Sequence, residues 1–339
     1  MRHIKKVGAA RGRSAVGSQE FSLQSLRVLT AIEREYVVLT ERDGMNTNNL
    51  SAAALMIAAA MPLLCEAQTL EKVAANNKIT VSYREAAVPF SYALSPTRAV
   101  GFSVDLTDAI VDDVRAKLKK PNLEVVRIPV TGQNRIPLLV NGTYDLECGS
   151  TTNTVARGKE VTFAISHFFT GTRLLAKTSS KVTSYADLAN KPVATAAGST
   201  NEKVLRKYSA DNNLNIQIVL GKDYGESLQM LEDGRAVALA LDDVLLFGLR
   251  ANSNDPASLE VVGETLQVEP YGCMLRKDDP EFKKLVDGSI ARLMKSGEFT
   301  RLYAKWFESP IPPKGAVLGM PMSKQLKANL KAMSDKPEF

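Results

Sequence analysis

From residue 70 onward, short β-rich runs alternate with stretches of helical periodicity, and this alternation restricts the fold more than any other feature of the sequence. Such a pattern is typical of α/β proteins with largely parallel sheets. The first half predicts strands at 78–83, 123–130 and 144–148, with helices at 104–118 and 136–140. The second half predicts strands at 191–198, 216–220, 236–241 and 271–276, with helices at 201–213, 226–232 and 280–307.

These elements form two consecutive α/β units of similar size, so we expect two lobes. The chain that remains after the second unit has to pack somewhere, and a return to the first lobe is the simplest arrangement. We therefore predict a discontinuous first lobe (68–175 and 268–339) and a second lobe (176–267). Because the chain then crosses twice between the lobes, the two crossings would form a hinge.

An uncharged apolar run of 15 residues at 50–64 precedes the first unit. As a helix it would span ~22 Å, which is short for a membrane anchor but suits the hydrophobic region of a signal peptide. Small residues at Cys65 and Ala67 suggest cleavage near Ala67, and therefore export. Residues 1–44 show no hydrophobic periodicity, which favours a translation start at Met45 over a long positively charged leader. We therefore expect residues 1–67 to be absent from the mature chain.

Composition excludes several functions. Of the 339 residues only two are histidines, His3 and His167, so a histidine metal site or a Ser-His-Asp hydrolase would depend on His167 alone. The net charge of +6 is modest, and the bases are interleaved with acids, which argues against a nucleic-acid partner. We expect no cofactor and no metal. After removal of 1–67 two cysteines remain, Cys148 and Cys273, and the sequence leaves a disulfide and two buried thiols equally open.

Polar side chains cluster where the predicted strands end, which is where ligands bind in open α/β sheets. In the first lobe they are three arginines and two hydroxyl residues, namely Arg84, Arg135, Arg157, Ser150 and Thr152. In the second lobe Thr200 follows a glycine turn and Asp242 ends a strand. Arginine and hydroxyl groups bind carboxylates, whereas a buried Asp242 needs a cation. The set predicts a site for an amino acid with a second acidic group, although each member alone could be a surface ion pair or a helix cap.

Six sequence runs then identify a resemblance. They are REAAVPFSY at 84–92, GFSVDL at 101–106, QNRIPLL at 133–139, YDLECGSTTN at 144–153, DD at 242–243 and YGCMLRKDD at 271–279. Together they resemble the periplasmic glutamate/aspartate-binding proteins of polar amino-acid ABC importers, which are solute-binding proteins of family 3. The similarity extends from about residue 70 to residue 315.

The resemblance implies a two-lobe periplasmic-binding-protein fold of type II, with two open sheets joined by two hinge strands. It implies that Arg157, Ser150 and Thr152 bind the α-carboxylate of L-glutamate or L-aspartate and that Asp242 binds the α-ammonium. Arg84 and Arg135 would hold the side-chain carboxylate, and Thr200 would contribute from the second lobe. It further implies a monomer that delivers its ligand to an inner-membrane ABC permease.

Two positions depart from the pattern of these proteins. Gly132 stands where they carry Ser, and Tyr224 stands where they carry a His near the distal carboxylate. A tyrosine keeps a hydrogen-bond donor but no imidazole, so acidic specificity is expected while the order of glutamate and aspartate is not fixed.

Two other functions remain open on this fold. An enzyme such as a cyclohexadienyl or arogenate dehydratase would also grip carboxylates with arginines, but it needs a general acid, which no strand end clearly supplies. A ligand-sensing protein would need a separate signalling partner. His167 is expected to be a packing or surface residue, Glu147 to make a structural hydrogen bond, and 320–333 to form a solvated helix laid on a lobe.

Overall fold

The computed structural model describes residues 68–337. The predicted start at Met45, the apolar run at 50–64 and the cleavage site near Ala67 lie outside the described residues. In the part of the chain that is described, no helix has both the length and the apolar character needed to cross a membrane.

The first sheet contains five strands. Their spatial order is β5 (Glu124–Pro129), β1 (Lys78–Tyr83), β6 (Leu146–Glu147), β15 (Met274–Arg276) and β7 (Val161–Phe163). β1 runs parallel to β5 and to β6, whereas β15 is antiparallel to β6 and β7. β15, from the C-terminal part of the chain, thus joins a sheet whose other strands all lie between residues 78 and 163.

The second sheet also contains five strands. Their order is β11 (Gln217–Gly221), β10 (Pro192–Ala196), β12 (Ala238–Asp242), β9 (Thr172–Lys177) and β13 (Leu259–Val262). β10 is parallel to β11 and β12, and all five residues of β12 are buried, as expected for a central strand covered on both faces. We call each sheet with the helices packed on it a lobe.

A two-stranded sheet of β8 (Phe168–Thr170) and β14 (Glu269–Tyr271) lies on the two chain passages between the lobes, and we call these the hinge strands. Phe168 and Tyr271 pack into a cluster of buried aromatic rings with Phe90 and Phe307 of the first lobe. A small three-stranded sheet, β2 (Ala86–Ala87), β3 (Ser91–Ser95) and β4 (Arg98–Val100), follows β1.

The helices begin where the sequence offers a cap. Ser199 accepts a hydrogen bond from the Glu202 amide, and Asp279 accepts one from the Phe282 amide at the start of a helix that has Pro280 in its first turn. The helices of the first lobe are α1 (Thr69–Asn76), α2 (Phe102–Leu118), α3 (Arg135–Val140), α7 (Pro280–Ser296), α8 (Glu298–Tyr303) and α9 (Lys324–Ala332). Those of the second lobe are α4 (Thr200–Asp211), α5 (Tyr224–Glu232) and α6 (Asp243–Asn252).

Three predicted elements differ in the structure. The strand predicted at 271–276 is interrupted after Tyr271, because the chain leaves the hinge sheet there and enters the first sheet at Met274. The helix predicted at 280–307 ends at Ser296, since Gly297 adopts a left-handed φ of 78°, and α8 and a π-helical turn (Ala304–Glu308) follow. The strand predicted at 144–148 pairs only over Leu146–Glu147.

The predicted lobe limits at 175 and 267 stay a prediction. The limit at 175 falls inside β9, which pairs along its whole length within the second sheet. We therefore propose Gly171, between β8 and β9, as the end of the first segment of the first lobe.

Two further contacts tie the late part of the chain to the first lobe. Cys148 after β6 and Cys273 before β15 form a disulfide. The helix expected within 320–333 is α9, and it is docked rather than merely laid on the surface. Leu326 is buried, and the Asn329 side chain donates to the Ser166 carbonyl, two residues before β8, at 2.7 Å.

Candidate functional site

The predicted site residues converge on one cleft between the lobes. Tyr224 at the start of α5 approaches Ser150, which follows β6, with 3.1 Å between their oxygens. Thr200 at the start of α4 approaches Thr152, again with their hydroxyl oxygens 3.2 Å apart. Each pair joins the second lobe to the first, so the residues predicted from separate strand ends lie on facing walls.

Arg157 spans the same cleft. Its Nη1 donates to the Thr152 carbonyl at 2.8 Å and its Nη2 to the Gly198 carbonyl of the second lobe at 3.3 Å. Burial lowers the pKa of the Arg157 guanidinium to about 10, and the positive charge of Arg135 acts in the same direction. The guanidinium therefore stays cationic at neutral pH while being held by neutral carbonyl groups.

Arg84 and Arg135 are each only 2% exposed, yet their guanidinium groups keep unpartnered atoms. These are Nη1 of Arg84 and both Nε and Nη1 of Arg135. Within 68–337, none of the three site arginines is in a salt bridge with an acidic side chain. A buried guanidinium with unsatisfied hydrogen-bond donors is costly, so an anion that reaches these donors is favoured.

Tyr224 covers one of these arginines. The carbon at the centre of the Arg84 guanidinium lies 4.6 Å from the centroid of the Tyr224 ring, which is cation–π geometry. The phenol is buried and faces Ser150. The residue that departs from the pattern of the similar proteins therefore contacts two groups on the opposite wall.

Gly132, the other departure, lies where the lobe backbones meet. A Cβ atom built on Gly132 would come within 2.5 Å of the Ala197 carbonyl oxygen, and one built on Gly198 within 2.8 Å of the Gly132 carbonyl oxygen. Gly198 also has a left-handed φ of 72°. Two glycines thus permit a close backbone approach that larger residues would block.

Asp242 is buried at the end of β12 and precedes α6. It stands at the N-cap position, but its side chain makes no cap hydrogen bond. Instead Asn201 donates to Oδ1 at 2.9 Å and the Tyr271 hydroxyl donates to Oδ2. Burial raises the pKa of Asp242 well above its usual range, and the nearby Glu269 acts in the same direction. A cationic group in contact with Asp242 would stabilise its charged form.

The sequence interpretation missed Glu269. This carboxylate on β14 is fully buried, and its Oε2 accepts hydrogen bonds from both Thr152 and Thr200, at 2.6 and 2.5 Å. Glu269 precedes the strand predicted at 271–276, and no local pattern marks it, because its hydrogen-bond partners are far away along the chain.

Glu147 and His167 lie behind the cleft wall. Glu147 Oε1 accepts from the Thr151 hydroxyl at 3.0 Å, and burial raises the pKa of Glu147 although Arg135 and Arg84 oppose the rise. His167 is fully buried, with Nε2 3.2 Å from the Gly149 carbonyl oxygen. It is a packing residue, and the alternative of a surface position is wrong.

A cavity of about 410 Å³ is lined by Arg157 and Thr200, but by no other predicted site residue. Four of its lining residues are basic, namely Arg157, Lys159, Lys203 and Lys207. Basic groups around an opening raise the local concentration of anions. Over the described residues there is no group of three or more side chains suited to hold a metal ion.

Two open sheets, two hinge strands and a polar cleft between the lobes define a two-lobe solute-binding protein. Residues 79–309 match the family described as bacterial extracellular solute-binding proteins, family 3. The chain belongs to this family.

Similar proteins include the glutamate/aspartate import solute-binding protein of Escherichia coli, which is 48% identical over 79% of this chain and 89% of its own length. The L-glutamate/L-aspartate-binding protein of Pseudomonas aeruginosa is 45% identical over the same shares of the two chains. Among solved structures, a mutant of ArgBP from T. maritima has a TM-score of 0.63 at 25% identity, covering 70% of this chain and 99% of that one.

Proposed function

We propose that this protein is an extracytoplasmic solute-binding protein that captures L-glutamate or L-aspartate between its lobes and delivers it to an ABC permease. The names of the relatives in Escherichia coli and Pseudomonas aeruginosa support this proposal. The observation that carries it is that three buried site arginines form no salt bridge within residues 68–337 and that two of them, Arg84 and Arg135, keep unsatisfied donor atoms, because two carboxylates on one small ligand would satisfy these donors.

In the proposed complex Arg157, with Ser150 and Thr152, binds the α-carboxylate, and Asp242 binds the α-ammonium. Arg84 and Arg135 hold the distal carboxylate, with Thr200 and Tyr224 contributing from the second lobe. Because the ligand would contact both lobes at once, binding favours the closed arrangement over an open one. Rotation about the hinge strands then couples capture to recognition by the permease.

No reaction is proposed. The relatives are named for import and binding rather than for catalysis, which supports binding over the dehydratase and sensing alternatives. We also propose that the chain is exported to the periplasm through the apolar run at 50–64 and acts there as a monomer without nucleic acid.

Calorimetric titration of the refolded mature chain with L-glutamate, L-aspartate, L-glutamine and L-arginine tests the proposal. We expect saturable heat with the two acidic amino acids and at least tenfold weaker binding of the other two. Arg157→Ala is expected to weaken binding by at least ~2 kcal/mol, since it leaves a buried charge unpaired, whereas Arg235→Ala on the exposed surface is the matched control. Absence of heat and of a thermal shift with millimolar L-glutamate and L-aspartate would refute the proposal.

A further inference from the structure

Glu269 makes four hydrogen bonds although none of its surface is exposed. Oε2 accepts from the hydroxyls of Thr152 and Thr200 at 2.6 and 2.5 Å. Oε1 accepts from the Gln267 amide at 3.0 Å and from the Thr172 hydroxyl at 3.4 Å. Both carboxylate oxygens of Glu269 are therefore satisfied by hydrogen bonds within the protein.

These partners belong to different parts of the molecule. Thr152 follows β6 of the first lobe, Thr200 begins α4 of the second lobe, and Glu269 lies on the hinge strand β14. Oε2 of Glu269, on a hinge strand, thus accepts hydrogen bonds from both walls of the cleft. Rotation that separates the lobes would have to break at least one of these two charge-assisted hydrogen bonds, which are stronger than neutral ones.

The number of protons on the two hydroxyls limits which other groups they can bind. A threonine hydroxyl has a single proton, and a carboxylate can only accept. Once Thr152 and Thr200 both donate to Glu269, each has only lone pairs left for other partners. Toward the cleft the two hydroxyls are then acceptors, suited to an ammonium group near Asp242, so in the proposed complex Thr152 and Thr200 reach the carboxylates of the ligand through their backbone N–H groups.

We propose that Glu269 is a positioning residue that clamps the two lobes together through Thr152 and Thr200 and fixes both hydroxyls as acceptors facing the cleft. The consequence for ligand affinity rests on the proposed function, whereas the consequence for lobe closure does not. A glutamine at this position has the same shape, but its amide donates with one of its two ends. It therefore cannot accept from both hydroxyls and from Gln267 in the same way.

Small-angle X-ray scattering of the ligand-free mature protein tests the clamp. We expect Glu269→Gln and Thr200→Val to increase the radius of gyration, because the open arrangement gains population. Thr200→Ser keeps the hydroxyl and should match the wild type. Glu260→Gln removes the same charge from an exposed position of the second lobe and should also match it. Equal radii for Glu269→Gln and Glu260→Gln would overturn the clamp, and if Glu269→Gln does not fold, the comparison of Thr200→Val with Thr200→Ser decides.

Binding of L-glutamate supplies the second readout. We expect Glu269→Gln to weaken it at least tenfold, mainly through faster dissociation, and to have less than a threefold effect once Thr200 is already Val. An equal loss in both backgrounds would show that Glu269 does not act through this hydroxyl. If the wild type binds neither acidic amino acid, the proposed function fails while the scattering comparison still decides the clamp.

Discussion

The phenolic oxygen of Tyr224 lies 3.1 Å from the hydroxyl oxygen of Ser150, so a side chain of the second lobe contacts the first lobe at the point where β6 ends. The same ring lies over the Arg84 guanidinium. One aromatic residue therefore combines a hydrogen bond and a cation–π contact across the cleft, and both exist only when the lobes are close together.

Removal of the phenol isolates the hydrogen bond. We expect Tyr224→Phe to weaken L-glutamate binding by about 1 kcal/mol, because the ring over Arg84 remains while the bond to Ser150 is lost. Titration calorimetry measures the change. Tyr208→Phe, which removes a partly buried phenol from the second lobe away from the cleft, is the control, and an equal effect of the two variants would contradict the assignment.

We expect Arg135 to distinguish acidic amino-acid ligands from their amides. Its buried guanidinium has two unpartnered nitrogen atoms, and we expect Arg135→Ala to weaken binding of L-glutamate much more than binding of L-glutamine. The reason is that only the acidic side chain presents a full negative charge to this position. Competition assays with both ligands measure the ratio, and equal losses would remove Arg135 from the distal pocket.

Gly132 limits how closely the lobes approach. In Gly132→Ser the new Cβ would lie 2.5 Å from the Ala197 carbonyl oxygen, so the closed arrangement has to loosen. We expect at least fivefold faster ligand dissociation in stopped-flow experiments, with a larger radius of gyration of the complex. Gly288→Ser is the control because its Cβ would meet nothing within 4 Å. Unchanged dissociation in Gly132→Ser would show that this backbone contact plays no part in closure.

His167 should make stability depend on pH. Burial lowers its pKa in the folded protein from 6.5 to about 4. As the pH falls from 6.5 to 4 the unfolded chain therefore binds a proton that the folded protein rejects, and the free energy of unfolding decreases by about 3 kcal/mol through this residue. Below pH 4 both states are protonated and the loss stops growing.

Denaturant unfolding of the wild type and of His167→Gln between pH 4 and 7 measures this contribution. We expect the stability difference between the two proteins to change in favour of the variant as the pH falls. Other buried acids such as Glu147 and Asp242 affect both proteins alike, so the difference isolates the histidine. A difference that is constant with pH would contradict the assigned pKa.

Local patterns in the sequence predicted the strands and helices whose formation depends on neighbours along the chain. β1 was predicted with its observed limits, and α2 and α5 within two residues of theirs. The break at Gly297 was missed because helical periodicity continues on both sides of it. β6 was predicted too long, since only Leu146–Glu147 find partners in neighbouring strands.

The candidate site shows the same difference between what local patterns predict and what depends on distant parts of the chain. Residues at strand ends could be assembled from the rule that such ends meet at one edge of a sheet, and Arg157, Thr200 and Asp242 were predicted as site residues in this way. Glu269 could not be found so, because it lies within a hinge strand and its partners come from residues about 70 and 117 positions away. Long-range pairing of this kind leaves no periodic trace in the sequence.

The bond between Cys148 and Cys273 encloses the whole second lobe within a covalent ring of the chain. A protease that cuts anywhere between these two cysteines would therefore leave a single connected molecule instead of two fragments, for as long as the surroundings remain oxidising. A nicked molecule would thus keep both walls of the cleft attached to one another.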